Sequence, residues 1–520
     1  MSHWATPKMD RNQAVLFSPT LNDMLDASHP VRLFHEILSQ VDFSQWESMY
    51  VRVAGQPPIH PQVMASAILY GLSLGIRSSR KLEDAAMNRL DFMWLLEGRT
   101  PDHSSFCGFR TCFEQQLKGL FRQIGHVGIE MGLVTLNQVM LDGTAQRANN
   151  SRFTTARKAT LQQKRAALDE QIEGLMREAR EQDQAEDQLY GESSPAQLPR
   201  ELRNLQRRQE RLTEAMKNLQ ELEKTRHGRK DVSAKGPAIP LSDPDSRVLP
   251  NKEGGYAPNY TTVLATDGDS GMILDTQVLS GNNEASSVLP AVEHLQENFD
   301  RKPEQVVADS GFNSGPNLAG LTEAGVEPLL GTRQPMGAEV AVRPDPTEPV
   351  AVEKREQLPM NPQNKVLDRS AFIFDSARDC YFCPMGRTLR YTERKTRGSG
   401  QPSYRVYACG DCSGCPLAVR CLSKATKVRR VSRDEYEDLR EANRRRLSSP
   451  AGQAQYKRRA PVAEGTFAGL KSRMHLRQFL LRGVKKVAQE VCWAATAYNI
   501  MKLAAHQVAE LASGALARAE

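Results

Sequence analysis

VTLNQVML, residues 134–141, followed directly by Asp142, is the stretch on which the fold turns. β-Branched and apolar side chains crowd into eight positions and then give way to Asp-Gly-Thr. A run this short, bounded by turn formers, predicts a strand that ends at Asp142. Downstream, NYTTVLAT (259–266) and MILDTQV (272–278) flank DGDSG, which predicts a β-hairpin with Asp267 and Asp269 in its turn. Residues 284–299 have the spacing of an amphipathic helix. QVVA (305–308) reads as a buried strand ending at Asp309, residues 317–324 as a helix closed by Gly325, and 327–330 as one more strand. Strands interleaved with helices make this an α/β core built on a mixed sheet. The reading places Asp142 and Asp309 at the C-terminal ends of the first and fourth strands. If those strands are neighbours, two carboxylates meet at one sheet edge, as two-metal phosphoryl transfer requires. Mg²⁺ takes oxygen ligands and keeps several waters, so few carboxylates suffice. Taken singly, an aspartate before Gly-Thr or Ser-Gly is equally a turn former.

Upstream, residues 28–130 read as helices. Pro61 opens the apolar VMASAILYGLSLGI, and PDHSSFCGFR (101–110) reads as a turn leading into a helix capped by Ser104 or Ser105. An all-helical N-terminal domain, 1–130, precedes a core whose first part is 131–335. That core is interrupted at 152–230 by two charge-rich helical arms. One arm carries Leu161, Leu168, Ile172 and Leu175; the other carries Leu205, Leu212 and Leu219 at heptad spacing, with Met216 and Leu222. With a break at YGESSPAQLP (190–199), the arms predict an antiparallel coiled-coil hairpin insertion. Residues 336–430 form a Pro-rich linker and a Cys-rich insertion, and 431–520 a basic helical part, helical from about Arg433 and again over 453–503.

Composition bounds the class. The chain has 520 residues, 39% hydrophobic and 25% charged, which excludes collagen-like, largely disordered and disulfide-scaffold proteins. No uncharged apolar run reaches the ~18 residues of a membrane span, the longest candidate being 63–76. The N-terminal MSHWATPKMDRN lacks the apolar core of a signal peptide, so a cytoplasmic, nucleoid-associated location is expected. Residues 424–486 contain 18 Lys and Arg against 6 Asp and Glu, a net +12, in a chain of net +7. A basic block in an otherwise mildly acidic protein points to a polyanion such as nucleic acid, or else to a solvated helix face.

Six of the nine cysteines cluster: Cys380 and Cys383, then Cys409, Cys412, Cys415 and Cys421. Two C-x2-C pairs resemble a zinc ribbon, with Cys380, Cys383, Cys409 and Cys412 around Zn²⁺ and two thiols spare. An iron–sulfur cluster and metal-free thiols are the other readings. Cys107, Cys112 and Cys492 are isolated and read as buried core residues.

Six strings, in order, resemble bacterial insertion-sequence transposases of the DDE type, whose catalytic core is RNase H-like. They are HPQVMASAILYGLSLGIRSSRKLEDA (60–85), DFMWLLEGRTPDHSSFCGFR (91–110), LDGTAQRANNS (141–151), SDPDSRV (242–248), VVADSGFNSGPNLAGL (306–321) and YKRRAPVAEGTFAGLKSRMHLRQFLLRGVKKVAQE (456–490). The resemblance implies catalytic, Mg²⁺-binding carboxylates at Asp142, Asp309 and Glu464, holding two ions. The family's glutamate lies six intervening residues before a lysine, matched by Glu464 and Lys471 with Tyr456 and Arg459 upstream. The Arg-to-Glu gap here is four residues where the family has three, and Ala460 takes the usual Arg position. Glu490 competes for the third carboxylate and reads as a supporting residue. Lys471, with Arg459, Arg473, Arg477, Arg482, Lys485 and Lys486, would grip the DNA backbone. The implied activity is cleavage at the ends of the mobile element and joining of 3′-hydroxyls to target DNA. Implied partners are terminal inverted repeats, target DNA and a second copy of the chain, as homodimer or larger. A binding-only protein derived from a transposase and an RNase H-like nuclease are the alternatives.

Overall fold

The computed structural model describes residues 20–50, 57–150, 154–190, 200–226, 236–251, 254–333, 338–396, 403–423 and 426–516. The first twelve residues and most of the 190–199 break lie outside them. The chain divides into two compact units, Met1–Lys302 with Ala460–Glu520, and Pro303–Arg459.

In the first unit, β1 (Gln138–Arg147) is the strand predicted at 134–141, shifted and lengthened. β2 (Arg247–Pro250), β3 (Tyr256–Asp267) and β4 (Ile273–Leu279) join it through β3, which pairs antiparallel with all three. Asp142 is therefore not at a strand end. β1 continues for five residues beyond it, and Asp142 stands mid-strand opposite Leu264. The cause is tertiary: Gly-Thr-Ala-Gln-Arg has little strand preference of its own, but β3 offers paired backbone partners as far as Arg147↔Asn259. The β3–β4 turn is as expected. The Asp267 carboxylate accepts the N–H groups of Leu136, Asp269 and Ser270, and Thr135 donates to Asp269.

The N-terminal helices include Pro30–Ser39, Pro61–Ser73, Ser79–Asn88, His103–Cys112 and Glu114–Glu130. Pro61–Ser73 is buried on nearly every face, which explains an apolar sequence without polar stripe. These helices share a core with the Val484–Leu516 helix. Trp46 stacks on Phe109 and meets Trp493, whose indole N–H donates to the Arg110 carbonyl at 3.2 Å. The cap of His103–Cys112 is Asp102, whose carboxylate accepts the Ser105 N–H at 2.7 Å, and not Ser104 or Ser105. Cys107 and Cys112, expected in the core, are exposed on that helix, whereas Cys492 is buried.

The two arms are helices, Lys158–Tyr190 and Arg200–Arg226. Leu168 and Ile172 pack with Leu205 and Leu212, and Leu161 packs with Ala215 and Leu219, as heptad spacing predicts. Beyond Lys302 the unit resumes at the end of the Pro450–Ala468 helix, which passes into a π-helical turn, Gly469–Arg473. Residues 474–483 are not helical, so 453–503 is two helices and not one. This segment returns to the end of β1: the Phe479 N–H donates to the Arg147 carbonyl at 2.9 Å and the Asn149 amide to Leu480 at 2.6 Å.

The second unit holds two short parallel strands, β5 (Gln305–Ala308) and β6 (Glu327–Leu330), with Gly315–Glu323 helical between them. The Cys-rich region is a five-stranded antiparallel meander: β7 (Ile373–Asp375), β8 (Cys380–Phe382), β9 (Thr388–Lys395), β10 (Tyr404–Cys409) and β11 (Arg430–Asp434). Helix begins only at Glu437, so Arg433 lies on a strand. Part of the basic block is paired here with acids from the same block. Buried Arg433 pairs with Asp438 and Glu441, and buried Glu437 with Arg369, Arg440 and Arg444. Among the described residues, no helix is long and apolar enough to cross a membrane.

Candidate active site

Side chains two apart on a strand share a face, so Asp142 and Thr144 project together from β1. Thr144 is buried and receives a hydrogen bond at 2.5 Å from the Lys471 ammonium. That ammonium lies 5.6 Å from the ring centre of Phe467, one turn before it, which holds the aliphatic stem over an apolar surface. Glu464 is exposed on the same helix. Asp142, Thr144, Glu464, Phe467, Lys471 and Arg477 line one cleft of about 520 Å³, together with Arg147, Asn251, Asn259 and Gln478. Two hard oxygen donors beside a cation suit a Mg²⁺ ion and a phosphate. Among the described residues, no three His, Cys, Asp or Glu side chains already surround a common point.

Asp309 belongs to the second unit. It follows β5, is half-exposed, and accepts the Gly311 N–H at 2.7 Å, an Asx-type turn. Glu490 is held elsewhere than the cleft. It pairs with Arg77 at 2.6 Å, both side chains 11% exposed, and accepts the N–H groups of Leu480 and Leu481.

Of the residues expected to grip DNA, the cleft collects Lys471 and Arg477. Arg477 is tied back by its Nε to the Lys471 carbonyl at 3.3 Å. Arg473 and Lys486 are exposed but do not line it, and Arg482 donates to the Asn149 carbonyl. Lys485 lines a different pocket, beside Glu114, Asp275 and His294. Arg459 is in the second unit, its guanidinium 5.7 Å from the Tyr456 ring centre. Thr144 and Arg147 were not foreseen; extending the period-two pattern beyond Asp142 finds Thr144.

SDPDSRV has a local role. Asp243, 1% exposed, accepts the Tyr260 hydroxyl at 2.6 Å and the Gly483 N–H at 3.0 Å, and Asp245 accepts the Val484 N–H. The two carboxylates cap the start of the Val484–Leu516 helix. Burial raises the Asp243 carboxyl above its ordinary range against those two hydrogen bonds.

The predicted zinc quartet is not assembled as expected. A separation of three places Cys380 and Cys383 on opposite sides of the chain as it leaves β8. Cys383 shares a core with Tyr381, Cys409, Cys421 and the partly buried Cys412 and Cys415, and Cys380 is outside that core.

Residues 382–504 match the family model described as Transposase DDE domain, and residues 19–112 match Transposase domain (DUF772). The first match contains Glu464 and Lys471 but neither Asp142 nor Asp309; the second covers the N-terminal helices. No curated protein matches the chain. Transposases act on DNA, and DDE domains depend on divalent metal ions. Both matches are to transposase families, and together they support an insertion-sequence DDE transposase.

Proposed function

We propose that the chain cleaves DNA at the ends of its own mobile element and joins the freed 3′-hydroxyls to target DNA, on an RNase H-like core. The observation that carries this is the cleft in which Asp142 and Glu464 accompany a lysine fixed by Thr144. Asp309 enters on its sequence context as the remaining carboxylate. Two Mg²⁺ ions, when bound by these oxygens, supply charge neutralisation and acidify water. Lys471 holds the phosphate at the scissile position, and Arg477 and Arg147 hold the backbone beside it. Water attacks phosphorus in line, the bond to the 3′-oxygen breaks, and a 3′-hydroxyl and a 5′-phosphate result. The 3′-hydroxyl then attacks a target phosphodiester and displaces its 3′-oxygen. Two ends must be joined together, so the acting form is a homodimer or larger. The N-terminal helices serve end binding or dimerisation, zinc on the cysteines is structural, and the protein works in the cytoplasm on the nucleoid.

The test is Mg²⁺-dependent cleavage of DNA carrying the gene's flanking sequence by the wild type and by Asp142→Ala, Asp309→Ala and Glu464→Ala. End-specific cutting lost in all three supports the proposal. Cutting with no preference for those ends points instead to a nuclease. End binding without cutting by folded wild type points to a binding-only protein.

A further inference from the structure

At the carboxyl ends of β5 and β6, the two parallel strands of the second unit, lies a cleft of about 550 Å³ that the chemistry above does not use. Sheets of this kind receive their ligands at that edge. Ser310, the residue after Asp309, lines the cleft together with Gly331, the residue after β6. Four arginines line it as well: Arg333, Arg369, Arg440 and Arg444. We propose that this cleft binds a phosphate group of DNA among the four guanidinium groups. The proposal rests on the reading of the chain as one that acts on DNA, and adds a second place of contact, on the unit that carries Asp309.

The arginines are positioned by the backbone around them. Asn443, fully buried on the Glu437–Ser448 helix, accepts the Leu330 N–H at 3.0 Å and donates to the Leu330 carbonyl at 2.7 Å. Its amide closes the end of β6 as a neighbouring strand would, and so pins the helix there. Arg440 and Arg444, four residues apart, lie on one face of that helix. Asp434 holds Arg440 through two hydrogen bonds, at 2.7 and 3.1 Å, and Arg444 Nε donates to the Arg440 carbonyl at 3.3 Å. Little side-chain freedom is left to lose when an anion binds.

Charge decides what fits. Glu437, 2% exposed, is shared by Arg369, Arg440 and Arg444. Asp434 pairs with Arg440, and Asp368 already accepts the Ser370 N–H at 3.0 Å and its hydroxyl at 2.8 Å. The lining therefore holds four cations against three acids. Arg333 is exposed and has no ion pair among the described residues. Arg369 Nε is buried without a hydrogen-bond partner, a costly state that an anionic oxygen relieves. Guanidinium groups match phosphate in charge and in fork geometry. A DNA backbone gripped here lies beside the turn that carries Asp309.

The experiment measures binding of the full-length chain to a duplex of unrelated sequence by fluorescence anisotropy, over a range of salt concentrations. Arg333→Gln should lower the slope of log K against log salt by about 1 and weaken binding by about five- to tenfold near ~0.1 M salt. Arg444→Gln should do the same per folded chain. Arg378→Gln removes an exposed arginine of the same unit that does not line the cleft, and should bind as wild type does. Thermal unfolding beside the binding curves separates loss of contact from loss of fold, and Arg333→Gln should keep the wild-type Tm. Duplexes with and without a 5′-phosphate identify the source of the group. An equal effect on both assigns the cleft to an internal phosphodiester; an effect confined to the phosphorylated duplex assigns it to a terminal phosphate. Wild-type slopes in Arg333→Gln and Arg444→Gln, or an equal fall in Arg378→Gln, would overturn the proposal. Wild type that shows these binding changes yet cuts no ends would sink the transposition reading and leave this cleft standing.

Discussion

Arg77 and Glu490 form a buried ion pair, 2.6 Å from Nη2 to Oε1, completed by two backbone N–H groups on the glutamate. The pair joins the loop after Pro61–Ser73 to the Val484–Leu516 helix. Its geometry assigns Glu490 to the fold, and Glu464 to the cleft. Glu490→Ala strands a buried guanidinium and should cost about 3–5 kcal/mol, read as a lower Tm. Glu464→Ala removes an exposed carboxylate and should change stability by no more than about 0.5 kcal/mol while abolishing cleavage. Thermal unfolding beside end-cleavage rates checks both; a stable, inactive Glu490→Ala would reverse the assignment.

Lys471→Met keeps the stem over Phe467 and removes the ammonium that Thr144 fixes. The loss of a pre-placed cation facing developing phosphate charge should lower the cleavage rate by about 10²–10³-fold, with Tm nearly unchanged. Single-turnover kinetics would show this. A rate within threefold of wild type would remove Lys471 from the mechanism.

Asp243 makes a prediction about pH. Burial raises its pKa above 3.8, so over the interval from 3.8 to the raised value the folded chain keeps a proton that the unfolded chain has released. Stability from this group is present in full below that interval and is lost as pH rises through it. Asp243→Asn keeps an oxygen for Tyr260 and Gly483 and removes the charge. Denaturant curves between pH 4 and 8 should show a flatter pH dependence for the variant and no loss of stability at pH 7. A variant less stable than wild type at pH 7 would contradict this.

Gly386 cannot carry a side chain. Its φ is +73°, and a Cβ there would collide with the Thr347 carbonyl oxygen. Gly386→Ala should therefore destabilise the second unit by at least ~2 kcal/mol, visible in hydrogen exchange at β8 and β9. Exchange as slow as wild type would mean that the turn has another form.

The legible parts of the fold were those whose local pattern and tertiary partners agree. QVVA between Pro303 and Asp309 is a strand to the residue, as is Glu327–Leu330, and the leucines of the two arms meet as their spacing requires. Other parts follow from partners far away in sequence. β1 extends past Asp142 because β3 is there to pair with it. RVSRD is a strand because Val431 and Arg433 alternate inward on the meander, where charge density alone reads as helix. The cysteine spacing was plain, but whether a C-x2-C lies in a turn or half in a strand decides which thiols face each other. In the cleft, the acidic residues were legible. Thr144, which fixes the lysine, depends on where β1 ends.

The π turn Gly469–Arg473 has a consequence for the interval between Glu464 and Lys471. A π turn holds one residue more than the α turn it replaces, so this stretch is wound with slack that a regular helix lacks. Removing one residue restores regular winding and takes up that slack, drawing the ammonium away from Thr144. Gly469 also rests against the Tyr498 ring where any Cβ would clash. The count of residues from glutamate to lysine is thus a gauge cut to the width of the cleft.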